Sequence, residues 1–199
     1  MLFGTAPGVS VLLAPDGAVA GVDVRGAPWG TRELDLLDPS ALVDRVHAVV
    51  LADGPASARG VVGWLAEHHR GFRVGDRPHE VVPIVPAAAV GADPVDRGRA
   101  ACVAAGPAVP EAVVLVGDTA AALVVVDAAL DKAACRRVAV SAHDGLVRAG
   151  VHLPAAVFAV ATGVPTGVPL DDLCTWAADV VARHAGGGPF GGPQPPLAP

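Results

Sequence analysis

GDTAAALVVVDAALDK, residues 117–132, sets a lone hydroxyl between a Gly-Asp pair and a long apolar run. AAALVVVDA (120–128) reads as a buried strand, so Thr119 stands at its head. A second apolar run, EAVVLV (111–116), precedes it, separated only by Gly117-Asp118-Thr119. Two readings of Thr119 are open. It is a turn residue closing one strand and opening the next, which Gly-Asp-Thr suits well. Or the chain is cut in front of Thr119, which then becomes an N-terminal nucleophile.

Outward from this point the chain alternates strands and helices without strict order. SVLLAPDGAVAGVDV (10–24) reads as a β-hairpin turning at Asp16-Gly17. RGAPWGTREL (25–34) is a Gly/Pro loop with Arg25 and Arg32 near its ends. Asp38-Pro39 is a helix start, predicting a short helix over 39–46, followed by a buried strand HAVVLAD (47–53). Residues 56–70 are helical in pattern, 80–85 a short strand between prolines, and 94–105 a helix opened by Pro94. Beyond the central runs, 130–150 reads as a long helix, VFAVAT (157–162) as a buried strand, and 171–185 as an amphipathic last helix. The Gly/Pro-rich tail 186–199 is expected to be disordered. Such mixing favours a layered α/β or α+β domain over 1–185 rather than a doubly wound sheet.

Composition narrows the function classes. With 199 residues, 52% apolar and 17% charged, the chain is long enough to bury a real core. Its net charge is −6 and its 14 basic residues are scattered, which argues against a nucleic-acid partner. The three cysteines, Cys102, Cys135 and Cys174, are far apart and are expected to be reduced thiols in a cytoplasmic protein. Residues 149–170 lack charge but are broken by Pro154, Pro165 and Pro169, so no membrane span is expected.

The familiar catalytic signatures are missing. There is no phosphate-binding glycine loop, no His-Glu-x-x-His metal helix and no Gly-x-Ser-x-Gly elbow. No cofactor or metal is expected. His68 and His69 read as exposed, Ser57 and Ser141 lie in helical context, and Asp127 and Asp144 read as surface carboxylates. Arg25 and Arg32 suit ion pairs or a substrate carboxylate, and Trp29 suits a pocket wall or a cover.

Read together, several segments resemble one family. GAVAGVDVRGAPWGTRELDLLDP (17–39), VHAVVLADG (46–54), GWLAEHHRGFRVG (63–75), VVPIVPAA (81–88), DAALDKAACRRVAVSAHDGLVRA (127–149) and VFAVATG (157–163) occur in the order found in the L-aminopeptidase/D-esterase family, the DmpA-like β-peptidyl aminopeptidases. The resemblance implies a helix-sheet-sheet-helix sandwich like that of the N-terminal-nucleophile hydrolases. It also implies self-cleavage between 118 and 119 and release of N-terminal residues from short peptides, amides or esters. The substrate would be a short peptide or amino-acid amide and the assembly a homo-oligomer, with no nucleic acid and no membrane.

At the position matching the family nucleophile stands Thr119. A freed α-amine titrates near ~8 and can take the hydroxyl proton without a histidine. Asp118 replaces the Asn or Gly expected before the nucleophile, but an Asp-Thr junction resembles that of the glycosylasparaginases. Two departures stand out. The interval 91–116 is shorter than in the family and holds no Asn for the oxyanion site, and HLPAA (152–156) replaces a Ser- or Asp-rich turn, leaving only His152. The alternative reading is therefore a catalytically silent relative that keeps the scaffold and the oligomer contacts.

Overall fold

The computed structural model describes residues 1–186. Its strands form two sheets that share one long strand. β1 (Leu2–Ala6) and the first half of β2 (Val9–Arg25) form an antiparallel hairpin, with Ala6 opposite Val9. That half of β2 also pairs with β3 (Val46–Ala52), which pairs in parallel with β6 (Ala87–Ala89). After a register shift between Leu13 and Ala18, the second half of β2 pairs with β9 (Ala155–Ala161) instead. β9 runs parallel to β8 (Ala120–Val126), and β7 (Ala112–Val116) closes the second sheet antiparallel to β8. The order is β6-β3-β2-β9-β8-β7.

Side-chain alternation along the strands builds three apolar layers. Ala121 and Leu123 of β8 and Phe158 of β9 meet Leu12, Val49 and Leu51 between the sheets. Their neighbours Ala122, Val124 and Val157 point the other way, against α3 (Lys132–Arg148) and α4 (Leu170–Gly186), where Val138, Leu146, Ala177 and Val181 receive them. On the opposite flank Val11, Leu13 and Val50 pack on Val61 and Leu65 of α1 (Ser57–Glu67) and Cys102 of α2 (Gly98–Val103). A strand buried on both faces needs apolar residues at every position, which is why 120–126 shows no polar alternation. The architecture is thus helix, sheet, sheet, helix, as the family resemblance implied.

Several local expectations are corrected. Residues 10–24 are not a hairpin, because each half of β2 finds its own partner strand and Asp16-Gly17 becomes a bulge, with Gly17 at φ 85°. The hairpin turn is Pro7-Gly8, one strand earlier.

No helix forms over 39–46; a short 3₁₀ turn, Leu34–Leu37, precedes it instead. Asp38 Oδ1 accepts from the Ser40 amide at 2.8 Å and its hydroxyl at 2.6 Å, a local turn that competes with helix. The loop carbonyls of Leu36, Ala41 and Val43 accept instead from Lys132 Nζ at 3.0, 3.1 and 2.9 Å.

The helix expected over 94–105 shrinks to α2. Asp93 and Asp96 bind the amides of Val95 and Gly98, at 2.8 and 3.0 Å, and so hold the segment before α2 in turns. The strand expected over 80–85 reduces to β5 (Val81–Val82), paired with β4 (Phe72–Arg73), while β6 was not anticipated.

The uncharged stretch 149–170 resolves into β9 flanked by irregular chain. Among the described residues no helix is long and apolar enough to cross a membrane. Gly186 ends α4 rather than opening the tail, and 187–199 of the expected disordered segment lie outside the described residues.

Candidate active site

Thr119 closes the tight turn joining β7 to β8, with Val116 opposite Ala120. The pleat gives it the same side as Ala121 and Leu123, toward the other sheet. It is only 4% exposed, whereas Asp118 beside it is exposed. Its Oγ1 donates to the carbonyl of Ala89 at the end of β6, at 2.9 Å. The Asp118 amide donates to the Val90 carbonyl at 2.7 Å, and the Gly117 amide to the Thr119 carbonyl at 2.9 Å. On the other side the Ala120 amide donates to Pro154 O at 2.9 Å, so the head of β8 is held from both flanks. The hydroxyl thereby links β6, the edge strand of one sheet, to the head of β8 inside the other.

The loop between β2 and β3 borders this point. The Arg32 amide donates to Ala87 O at 2.9 Å and the Ala87 amide to Arg32 O at 3.1 Å, which lays residues 30–32 along the free edge of β6. Gly30, at φ 74°, lies so close to Ala89 that a Cβ there would meet the Ala89 Cβ at 2.8 Å. Trp29 is 42% exposed beside it. The Ala89 and Val90 carbonyls that engage the turn are backbone groups and leave no mark in the sequence.

Other candidates fall elsewhere. His152 is exposed two residues before Pro154, with no hydrogen bond to Thr119. Arg25 is committed to a network: Nε donates to Asp23 at 2.8 Å and a terminal nitrogen to Asp144 at 3.2 Å. His143, 4% exposed, belongs to that network but was not singled out from the sequence. Its Nδ1 lies 2.9 Å from Asp23 Oδ2, yet out of line for a hydrogen bond. Burial, and then Arg25, hold its pKa below the usual histidine value against the opposing pull of Asp23 and Asp144. All of this lies on the helix face of the second sheet, away from the Thr119 hydroxyl.

Neither buried serine has a catalytic partner. Ser57 Oγ accepts the Arg97 amide at 3.2 Å and Ser141 Oγ accepts Arg137 at 2.7 Å. His68 stacks on Trp64 with ring centroids 4.0 Å apart and is exposed, and Asp127 accepts from Thr162 at 2.8 Å. All three cysteines are free and buried, and burial pushes the Cys102 and Cys135 thiols up to about 12. Among the described residues no three His, Cys, Asp or Glu side chains gather as a metal would need.

A cleft of about 520 Å³ opens between the β2 bulge, Arg45, the N-terminus of α3 and the Thr162 turn. It sits past the far end of β8, about 20 Å from Thr119 at the rise of an extended strand, too far to share its chemistry.

No protein-family profile matches the chain. An uncharacterized aminopeptidase of Mycobacterium tuberculosis H37Rv is 37% identical over 199 residues, covering 92% of this chain and 52% of that protein. An uncharacterized aminopeptidase of Mycobacterium leprae is 51% identical over 92 residues, covering 44% of this chain and 24% of its own length. Among solved structures, the L-aminopeptidase D-Ala-esterase/amidase of Ochrobactrum anthropi, described as a variant of the Ntn hydrolase fold, superposes with TM-score 0.60 at 13% identity, over 88% of this chain and 75% of that one. This chain has the fold of the DmpA-like aminopeptidases. A Burkholderia sp. β-aminopeptidase shows the same DmpA-like fold, with TM-score 0.59 at 18% identity, over 89% of this chain and 77% of its own. The chain spans about half the length of the curated aminopeptidase relatives it matches.

Proposed function

We propose that the chain is a self-processing aminopeptidase or amidase that releases N-terminal residues from short peptides, amides or esters, with Thr119 as nucleophile. The observation that carries the reading is a nearly buried hydroxyl at the head of a rigid strand between two sheets, hydrogen-bonded to Ala89 O. The names of the aminopeptidase relatives support the reaction class.

In the precursor, Thr119 Oγ attacks the Asp118 carbonyl carbon. The 118–119 C–N bond breaks, the hydroxyl proton passes to the departing nitrogen, and an ester remains that water opens to an Asp118 carboxylate. The new α-amine, with an ordinary pKa near ~8, is then the base. It takes the Oγ proton as Oγ attacks a substrate carbonyl, and gives it to the leaving amine. Water hydrolyses the acyl ester and restores the hydroxyl. Packing that fixes the head of β8 supplies the positioning this attack needs.

A second reading, a silent relative that keeps the scaffold and the oligomer contacts, is favoured by one observation: residues 91–116 offer no Asn for an oxyanion site, and His152, the one polar side chain of 152–156, makes no hydrogen bond to Thr119. Intact mass and turnover of amino-acid p-nitroanilides separate the two. Processing yields fragments 1–118 and 119–199, abolished in Thr119→Ala. A single uncut chain without turnover establishes the silent relative.

A further inference from the structure

Arg25 and Arg32, which bracket one loop, have different fates. Arg25 is tied to Asp23 and Asp144. Arg32 is exposed and forms no ion pair among the described residues. Its neighbour Glu33 is turned elsewhere: the Glu33 carboxylate accepts the Val85 amide at 2.6 Å.

The loop carrying Arg32 is held in costly backbone. Gly26, Ala27, Gly30 and Glu33 have φ of 72°, 51°, 74° and 57°. Two of these are not glycine, a strain that the surrounding contacts must over-determine and that gathers at functional sites.

Arg32 and Thr119 also occupy the same edge of the same strand. The Arg32 amide binds Ala87 O and the Thr119 hydroxyl binds Ala89 O, two residues further along β6. Carbonyls two residues apart on a strand lie about 6.6 Å from each other. A peptide advances about 3.5 Å per extended residue, so backbone anchors this close leave the long Arg32 side chain within reach of a carboxylate one or two residues beyond the bond that Thr119 attacks. A guanidinium is the side chain best shaped to grip a carboxylate through two N–H groups.

We propose that Arg32 is a specificity-determining residue that binds the free C-terminal carboxylate of a di- or tripeptide while Thr119 attacks its first peptide bond. This rests on the proposed function of Thr119. It assigns the substrate class as very short peptides with an unblocked carboxyl terminus.

The test compares alanyl-alanine with alanyl-alanine amide, by turnover and by calorimetric binding at low salt. The wild-type protein is expected to favour the acid about tenfold, the size of one hydrogen bond to a charged group. Arg32→Gln is expected to erase that preference through KM and binding affinity with kcat for the acid kept, and Arg59→Gln, on the surface of α1, to retain it. A lost fold alone would lower the melting temperature without selecting acid over amide.

An Arg32→Gln protein that still prefers the acid overturns the inference, as does a wild-type protein that binds both alike. A protein that turns over no p-nitroanilide refutes the nucleophile instead, while the binding comparison still decides Arg32.

Discussion

At Thr119 the hydroxyl is tied to one sheet while the backbone belongs to the other, so the residue has a structural role whatever its chemistry. Thr119→Val keeps the shape but orphans the Ala89 carbonyl, and is expected to cost about 1–3 kcal/mol, read by urea denaturation. Thr119→Ser is expected to keep most of that stability. His143 predicts a pH effect. Its folded pKa lies below the ordinary 6.5, so on acidification the unfolded chain takes up the proton first. Its contribution is complete above pH 6.5 and lost as pH falls from there toward the folded value. Buried His47, whose pKa is also lowered by burial, acts with the same sign. Melting temperature is expected to drop between pH 7 and 5, and His143→Gln to flatten that slope, while Asp23, Arg25 and Asp144 still face the position. The place of Thr119 at the head of a buried strand was legible from the apolar run that follows it. The Asp23–His143 contact was not, because nothing local links positions so far apart in the chain.

At the scale of elements, the continuous apolar strands and long helices were legible, since their burial writes itself as period. What failed were the places where one side chain overrides local propensity. Asp38-Pro39 has the form of a helix start, but carbonyls on both sides of it turn to the Lys132 ammonium, a partner supplied by α3. Lys132→Met is expected to destabilise by about 1–3 kcal/mol and to raise amide exchange across 36–43. The neighbouring cap is simpler: Asp131 Oδ1 accepts the Ala134 amide at 2.7 Å, so Asp131→Ala should cost about 1 kcal/mol in thermal denaturation. Gly17 signalled a turn correctly in kind, yet whether a turn reverses the chain or only shifts its register depends on partner strands that lie elsewhere in the sequence.

For the whole molecule, the weight of the fold lies between the sheets, around Phe158, which is fully buried. Phe158→Ala is expected to remove about 3–5 kcal/mol, measured by chemical denaturation. The four-layer plan was readable only through the family resemblance, because which strand halves pair is a long-range choice. If the 118–119 bond is cut, β8 and β9 remain flanked by β2 and β7 from the other fragment. The fragments are therefore expected to elute as one species and part only in denaturant. A further consequence follows from β2. One uninterrupted stretch of backbone is a member of both sheets, so neither can peel away while the other stays intact. Melting should register as one sharp step by every probe, with the amides of 9–13 and 19–25 losing their protection together.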